Sequence, residues 1–369
     1  MSLSLLLYLS AGALAPAIGF SGVGFALVIW GALVARRSIL DGRAIMSRAL
    51  LLFVAAFLVL VVAGYPRWEQ PVDLKDAAAV LVFFAVVPTL MVSLALRDDR
   101  WRGAARVTLA FAFVAFSILI VAWAAVYGVD WRRNIFLLPS LHKNGVAATY
   151  EVLLLTTLLD RRAWHQRAGV AAVGLLCLAL VGSKTALGLA LIMIAVILFR
   201  WAGAAAVLIV LAASFGFIRA NLALEGPLET AVQRFILWAH AWDQITESAG
   251  HFWFGVGPGT FVAPVQVQSL AGIAGTHNII LQFWHSFGLL GLLLFSLFFL
   301  HVARRFGFAR SPFLAAFWLF NLHAMFDVGW VKGAGFVAAA ALGLGIADVL
   351  AREAASSPVP SSMGPLPVR

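Results

Sequence analysis

The sequence has few charged residues and almost no cysteine. Only 11% of its 369 residues are charged, whereas 63% are hydrophobic. A soluble domain carries about 25% charged and about 45–50% apolar residues, so the apolar surface here exceeds what a soluble core of this size can hide. The single cysteine, Cys177, cannot form an internal disulfide and indicates nothing about the redox compartment. These shortages exclude a soluble globular protein and a disulfide scaffold, and they favour a chain that folds in a lipid bilayer.

Acidic residues are also scarce, with 16 against 26 lysines and arginines, which gives a formal net charge of +10. A basic chain can bind nucleic acid, but the distribution of the charge favours another interpretation. One set of alternating loops, together with the C-terminal tail, holds 17 of the 26 basic residues. Basic residues concentrate in the cytoplasmic loops of membrane proteins. The charge therefore predicts a topology with both termini in the cytoplasm, and no nucleic-acid partner.

Apolar runs recur up to residue 350 and predict an all-α integral membrane protein with about 12 transmembrane helices. A helix needs roughly 20 apolar residues to cross a bilayer, and several runs are shorter. We expect a single polytopic domain, 1–350, in a bacterial inner membrane, followed by a disordered cytoplasmic tail, 351–369. The predicted spans are 3–18, 19–35, 47–65, 77–96, 107–127, 146–159, 168–182, 184–199, 201–219, 276–300, 311–329 and 333–350.

The largest segment between spans, about 220–275, faces the periplasm in this topology and is predicted to form one large helical loop. Its residues 231–245 have a helical periodicity that places Phe235, Trp238 and Trp242 on one stripe. Such a stripe is typical of a helix that lies on the membrane surface or caps the bundle.

Four polar residues stand out because charges at membrane depth are costly. Lys184, in GSKTALG, is either a snorkelling lysine in a tight outer turn or a cation held for an anionic lipid headgroup. Glu151 lies early in a predicted helix, where a structural pair with a basic neighbour and a chemical role are both open. His323 and Asp327 are four residues apart and share a helix face, which favours a stabilising buried hydrogen bond.

A further polar cluster follows the predicted loop helix. Gly255-Val-Gly-Pro-Gly-Thr-Phe261 is a glycine-rich turn, but it follows no predicted strand and gives no support to a nucleotide-binding fold. His277 and Asn278 then open a long predicted helix that carries Gln282 at the membrane boundary. Backbone N–H groups at a helix N-terminus favour an anion. The alternative is that Thr276 or Asn278 merely caps the helix and that His277 is solvated.

Three segments occur in an order and spacing that resemble the O-antigen ligase and O-antigen polymerase superfamily, and the resemblance spans about 140–300. The segments are Ser183-Lys-Thr-Ala-Leu187, then Arg234 to Glu247 leading into the glycine-rich turn, and then His277-Asn278 with Leu281 and Gly288. The resemblance implies a membrane glycosyltransferase that needs no metal and no nucleotide or other cofactor. It also implies a glycan on undecaprenyl pyrophosphate as the donor and a hydroxyl group on the periplasmic face as the acceptor.

The acceptor distinguishes the members of this superfamily. It is the lipid A core for a ligase and another carrier-linked repeat for a polymerase, and a short chain with a modest outer loop also allows an exopolysaccharide or protein acceptor. We expect a ligase, with a polymerase as the alternative, and membrane lipids as partners in either case. The resemblance implies nothing about the oligomeric state.

The resemblance also implies roles for individual residues. His277 stands at the position of the family's essential histidine and is the expected general base, and Arg234 matches an arginine expected to bind the pyrophosphate. Lys184 stands where a second arginine is usual, which keeps the charge but loses the bidentate guanidinium fork. The residues expected to shape the sugar site are Asn278, Gln282, Gly255, Gly257 and Gly259.

Two other classes of protein fit the same composition. A non-enzymatic transporter or flippase of a lipid-linked glycan usually lines its path with several charged residues deep in the bundle, whereas most non-loop charge here lies near the outer boundary. A membrane scaffold with a degenerate site is the other alternative, because Lys184 departs from the family pattern. The site hypothesis that follows is that Lys184, Arg234 and His277 converge at the periplasmic rim of the bundle.

Overall fold

The computed structural model describes residues 48–69, 71–97, 99–128, 143–160, 163–199, 229–262, 275–326 and 334–356. Every regular element within these residues is helical, which confirms the predicted all-α class. A 3₁₀ turn, Tyr65–Arg67, follows α1, and a π-helical turn, Val82–Val86, joins α2 to α3. The α-helices are α1 (Arg48–Gly64), α2 (Leu74–Leu81), α3 (Val87–Arg97), α4 (Asp99–Tyr127), α5 (Lys143–Asp160), α6 (Trp164–Val181), α7 (Lys184–Phe199), α8 (Glu229–Thr246), α9 (Ala249–Phe254), α10 (Ile279–Phe306), α11 (Pro312–Ala324) and α12 (Ala334–Ser356).

Several of these helices are long and apolar enough to cross a membrane, as a multi-pass membrane protein requires. The described part of the chain holds five such stretches, against the 12 spans predicted. The predicted spans 3–18, 19–35 and 201–219 lie outside the described residues, as do 220–228 and 263–274 of the predicted loop. The five stretches are Leu74–Ser93, Arg102–Tyr127, Trp164–Val181, Ile279–Phe306 and Gly335–Ser356.

Helix α5 is the centre of the bundle, although its apolar run is one of the shortest predicted. It packs against α4, α6, α7, α11 and α12, and every side chain from 146 to 158 is buried. The hydroxyl of Tyr150 lies 2.6 Å from the hydroxyl of Ser117 on α4. A helix at this position can carry polar residues because protein, rather than lipid, surrounds it and provides hydrogen-bond partners.

Charged residues hold one end of the bundle together. Asp348 of α12 is buried. It accepts hydrogen bonds from the guanidinium of Arg106 on α4, at 3.3 Å, and from the hydroxyl of Ser311, at 3.0 Å. The same guanidinium approaches the carboxylate of Asp160 at the end of α5, with N···O at 3.6 Å. These contacts bring together the ends of four helices or their caps, and we call this end of the bundle the basic end.

Basic residues that the sequence predicts to be cytoplasmic meet at the basic end. Helix α12 runs to Ser356, beyond its predicted end at 350, and its Glu353 accepts hydrogen bonds from Arg305 at 2.8 Å and from Arg310 at 3.3 Å. Helix α6 starts next to this end and has 18 residues, a length of about 27 Å. Ser183, which follows α6, therefore lies at the opposite end of the bundle, which we call the site end.

Helix α10 is not straight, and this is the largest departure from the predicted span 276–300. Gly288 has φ 69° and ψ −175°, well outside the helical region. On a straight helix, Phe283 and Phe295 would lie about 18 Å apart along the axis, yet their rings stack with centroids 3.8 Å apart. The segment 279–287 is therefore a short arm that folds back toward the long arm, 289–306. Hydropathy does not reveal the bend because both arms are apolar.

An aromatic cluster fills the angle between the two arms. The ring of Phe84, in the π-helical turn, lies 6.1 Å from the ring of Phe283 on the short arm and 5.3 Å from that of Phe295 on the long arm. Phe57 of α1 contacts Phe287 next to the bend, with ring centroids 5.1 Å apart. Aromatic pairs at such distances are favourable beyond their buried area. The cluster thus holds the short arm against the bundle at the site end.

Candidate functional site

The helix predicted over 231–245 is present as α8, and it caps the site end of the bundle. Leu237 and Ala241 are buried with Phe261, whereas Phe235 is 65% exposed. The ring of Trp242 contacts Trp284 on the short arm of α10, with centroids 5.3 Å apart. One face of α8 therefore packs on the short arm and its surroundings. The predicted aromatic stripe lies at the edge of this packed face, because Phe235 is exposed whereas Trp242 contacts the short arm.

The glycine-rich turn 255–261 is held on both of its sides. On one side, the N–H of Val256 donates to the carbonyl of His285 on the short arm at 2.7 Å. On the other side, the N–H of Glu69 donates to the carbonyl of Val256, and the N–H of Asp73 donates to the carbonyl of Pro258, both at 2.9 Å. The turn therefore joins the 65–73 segment to the short arm and forms part of the fixed frame of the site.

Glycine is required where the turn meets the bend of α10. Gly255 and Gly288 both have positive φ angles, 85° and 69°. A Cβ on Gly288 would lie 2.2 Å from the carbonyl oxygen of Trp253, and a Cβ on Gly255 would lie 2.6 Å from the N atom of Gly288. Both contacts are with backbone atoms, which cannot rotate away. The two backbones thus touch only because neither residue has a side chain.

The other two predicted glycines face the 65–73 segment. A Cβ on Gly257 would lie 2.8 Å from Val72, and a Cβ on Gly259 would lie 2.5 Å from the Cβ of Asp73. Their surroundings are therefore protein atoms. Any influence of Gly257 and Gly259 on a sugar site acts through the fixed shape of the turn.

His277 has an unusual backbone conformation. With φ at 54°, it is the one non-glycine residue with positive φ in the part of the chain that the structure describes. Non-glycine residues in this region are strained, and such strain concentrates at functional sites. The preceding residue, Thr276, is fully buried; its N–H donates to the side chain of Gln282 at 2.9 Å, and its hydroxyl donates to the carbonyl of Asn278 at 2.9 Å. These two hydrogen bonds fix Thr276, and they thereby fix the backbone on the N-terminal side of the half-buried His277.

Asn278 holds His277 from the other side. Its side-chain oxygen accepts hydrogen bonds from the N–H groups of Ile280 and Leu281, at 2.9 and 3.1 Å, so the alternative that Asn278 caps the helix is confirmed. Its side-chain N–H donates to the carbonyl of Met325, just after α11, at 3.0 Å. Asn278 therefore fastens the tip of the short arm to the end of α11. The cap has a second role, because it fixes the residue that precedes it.

Gln282 holds the loop that precedes the short arm and contains Thr276 and His277. Its amide oxygen accepts from Thr276, and its amide nitrogen donates to the hydroxyl of Ser286 at 3.2 Å. Both polar atoms of this side chain have partners within the short arm and the loop before it. Gln282 therefore shapes the surroundings of His277 through the backbone of Thr276.

Arg234 lies on the face of α8 that turns toward the bundle. It is three and seven residues before the buried Leu237 and Ala241, so the three residues share one helix face. Arg234 is half-buried, and its guanidinium makes no hydrogen bond or ion pair with the described residues. Ten residues further along α8, Gln244 accepts a hydrogen bond from Nε2 of His285, at 3.0 Å. This contact fixes the distance and direction from α8 to the short arm.

Lys184 begins α7 at the site end. The hydroxyl of Ser183 accepts a hydrogen bond from the N–H of Ala186, at 3.4 Å, and caps this helix. Helix α7 packs against α5, α6 and α11, and α11 is the helix whose end holds Asn278. The side chain of Lys184 lies outside the described part of the structure. The three predicted residues thus belong to the same end of the bundle, and the convergence of their side chains stays a prediction.

Two buried histidines are partnered in ways that sequence analysis missed. His285 is 0% exposed and bonds Gln244, and its ring also contacts Phe261. His323, 1% exposed, hydrogen-bonds through Nδ1 to the carboxylate of Glu151, which is 0% exposed. The predicted partner of His323, Asp327, lies outside the described residues. The predictions of a buried hydrogen bond at His323 and of a basic neighbour for Glu151 are met by one and the same pair.

One group among the described residues has the chemistry of a metal site. Side-chain atoms of Glu69, Glu247 and His251 lie within 4.8 Å of one another. His251 is 3.6 Å from the Glu69 carboxylate and 3.8 Å from that of Glu247. Both carboxylates are exposed, and the two contacts use different nitrogens of one ring. The group therefore forms a surface polar cluster, in which His251 of α9 contacts Glu69 in the 65–73 segment and Glu247 just after α8.

The part of the chain that runs from the start of α6 to the long arm of α10 resembles a known family. Residues 165–296 match the family model described as O-antigen ligase. The match confirms the predicted resemblance to the O-antigen ligase and polymerase superfamily. The chain has no significant match among curated proteins. With the apolar helices, the resemblance to O-antigen ligases indicates a multi-pass membrane protein with a glycosyltransferase type of activity.

The segment similar to O-antigen ligases contains all three groups of predicted site residues. Lys184 lies near its start, Arg234 lies in its middle, and His277 precedes the short arm near its end. Glu151 and His323 lie outside it, on α5 and α11, but they pack against it. The segment similar to O-antigen ligases therefore depends on helices on both sides of it for its shape.

The Gly288 bend gives a test of this geometry. Replacing Gly288 with alanine should lower the free energy of unfolding by about 2–5 kcal/mol, because it combines a positive φ with a backbone clash. A Cβ on Gly103, in α4, would have no neighbouring atom within 4 Å, so Gly103→Ala should be neutral or slightly stabilising. Thermal unfolding of the two purified variants in detergent measures the difference. Equal melting temperatures for the two variants would show that the bend is not as described.

Proposed function

We propose that this protein is a membrane glycosyltransferase of the O-antigen ligase type. It transfers a glycan from undecaprenyl pyrophosphate to a hydroxyl group of an acceptor, on the periplasmic face of the inner membrane. One observation carries the proposal: the segment similar to O-antigen ligases contains a strained histidine at a helix start, together with the two predicted cation positions at the same end of the bundle. The basic end, at the other side of the bundle, is then cytoplasmic.

In the proposed reaction, the acceptor hydroxyl attacks the anomeric carbon of the carrier-linked sugar. A new glycosidic C–O bond forms while the C–O bond to the pyrophosphate breaks, with inversion at that carbon. His277 accepts the proton of the hydroxyl, and undecaprenyl pyrophosphate leaves. Imidazole suits this role because it exchanges a proton near neutral pH. The fixed backbone of His277 supports it, since a base must be aimed within hydrogen-bond distance of the proton it removes.

The leaving group gains negative charge, and cations that contact its oxygens stabilise the transition state. Arg234 can bind a phosphate through two parallel hydrogen bonds. Arg234 is half-buried, and its guanidinium makes no ion pair with the described residues, which supports its binding of a substrate anion. Lys184 would add a point charge next to the leaving group. Because it begins α7, the positive end of that helix dipole would favour the same negative charge.

The test of this function is transfer by the purified protein in proteoliposomes. We expect an undecaprenyl-pyrophosphate-linked oligosaccharide to lose its glycan to lipid A core, with free undecaprenyl pyrophosphate as the second product. Elongated carrier-linked glycan without modified lipid A core would indicate a polymerase instead. Donor that crosses the bilayer with its glycan still attached would identify a flippase and contradict the proposal.

His277 is expected to be essential for the chemical step. His277→Ala should lower kcat of transfer by about 10²–10⁴-fold, the usual contribution of a general base. His301, exposed on the long arm of the same helix, provides the matched control, and His301→Ala should retain normal activity. Rates are compared at equal amounts of monodisperse protein. Normal transfer by a folded His277→Ala protein would remove the general base from the mechanism.

Arg234 is expected to act on the donor. Hydrogen bonds to charged groups contribute about 1.5–3 kcal/mol, so Arg234→Ala should lower kcat/KM for the carrier-linked donor by about 10- to 100-fold. Arg234→Lys should recover only part of this loss, because it restores the charge without the fork. Arg304→Ala, at the exposed basic end of α10, is the control. An unchanged donor kcat/KM in Arg234→Ala would show that this guanidinium does not contact the pyrophosphate.

A further inference from the structure

The buried pair of Glu151 and His323 has no part in the function proposed so far. The two residues lie 172 positions apart in the chain, on α5 and α11, and both side chains are almost completely excluded from solvent. The cavity beside Glu151 is otherwise lined by apolar side chains, among them Leu154, Ala190 and Leu319. Burying an ionisable pair in such surroundings is costly, and apolar residues would often stabilise the fold equally well. The pair therefore calls for a role other than stability.

A short chain of contacts leads from this pair to His277. His323 lies in the last turn of α11, and its backbone carbonyl accepts a hydrogen bond from the N–H of Phe326, at 2.9 Å. This turn presents the carbonyl of Met325, which accepts the hydrogen bond from the side chain of Asn278. Asn278 in turn caps the short arm and directly follows His277. Each link is a hydrogen bond or a peptide bond between described residues.

We infer that Glu151 and His323 are positioning residues for His277, an inference that rests on the proposed function. The carboxylate of Glu151 holds the His323 ring, and with it the last turn of α11. That turn holds the Met325 carbonyl at the place where Asn278 must donate. Asn278 then keeps His277 at positive φ. Without these contacts, His277 would relax toward the ordinary backbone regions and its ring would move away from the acceptor hydroxyl.

A positioning role for Glu151 has different consequences from simple support of the fold. Misplacing a catalytic group by about 1 Å can reduce the rate by about 10²-fold, whereas loss of stability alone lowers the amount of folded protein and leaves its turnover unchanged. If Glu151 acts through Asn278, removal of both residues should have about the same effect as removal of one. Residues that act independently give losses that multiply.

The first experiment is a double-mutant cycle in the transfer assay. We expect Glu151→Ala and Asn278→Ala each to lower kcat about 10-fold or more, with donor KM changed less than about 3-fold, and the double variant to be no slower than the slower single variant. Glu151→Gln should keep most of the activity, because its carboxamide oxygen can accept the same hydrogen bond from His323. Multiplied losses in the double variant, or a Glu151→Gln variant as slow as Glu151→Ala, would overturn the inference.

The second experiment does not need activity. Hydrogen exchange is measured by mass spectrometry on a peptide that contains the capped N–H groups of Ile280 and Leu281. Exchange there should be faster in Glu151→Ala than in the wild type, because the cap loosens. The control is Thr156→Val on α5, a buried residue whose hydroxyl bonds carbonyls of its own helix; it should leave this exchange unchanged.

The two experiments separate the inference from the proposed function. Wild-type protein without transfer activity would contradict the proposed function, while the exchange measurement would still decide whether Glu151 controls the cap. Wild-type exchange at Ile280 and Leu281 in a folded Glu151→Ala protein would overturn the positioning role. Faster exchange in the Thr156→Val control as well would also overturn it, since any loosening of α5 would then have the same effect.

Discussion

The contact between the backbones of Gly255 and Gly288 is the constraint on which the site end depends. Because neither residue has a Cβ, the turn after α9 can lie directly against the bend of α10. The bend folds the short arm back, so that its tip reaches the end of α11 instead of continuing away from the bundle. Asn278 can therefore bond Met325, and α8 can rest on the outer side of the same arm through Gln244 and His285. With a straight α10, none of these contacts could form together.

Charged side chains are arranged differently at the two ends of the bundle, where an unpaired charge in apolar surroundings is costly. At the basic end, guanidinium groups and carboxylates satisfy one another around Asp348, and the helix ends are tied together. At the site end, Arg234 is left without an ion pair among the described residues, and His277 is held in a strained conformation. This unpaired guanidinium is the feature of the site end that supports the proposed binding of a pyrophosphate.

Much of the fold follows from hydropathy, because a long apolar segment in a bilayer has to be helical. The helices near 47–65, 168–182 and 184–199 are found close to their predicted bounds, and α4 ends where predicted but begins eight residues earlier, at Asp99. The helix predicted over 231–245 is present as α8. Helix α5 is also found where it was predicted, but hydropathy did not indicate that it lies at the centre of the bundle. Helix α12 continues past its predicted end at 350, and its Glu353 pairs with Arg305 and Arg310 near the α10–α11 junction.

The sequence by itself determined the all-α membrane class of the protein and the family that it resembles, because composition and motif order are local properties of the chain. Only the tertiary structure decided that α10 bends at Gly288, that Asn278 fastens this arm to α11, and that Glu151 pairs with His323 across 172 residues. The physical reason is that each of these features is a close contact between segments distant in sequence. Whether a glycine bends a helix, or a buried carboxylate finds a histidine, depends on which neighbour the fold brings to it.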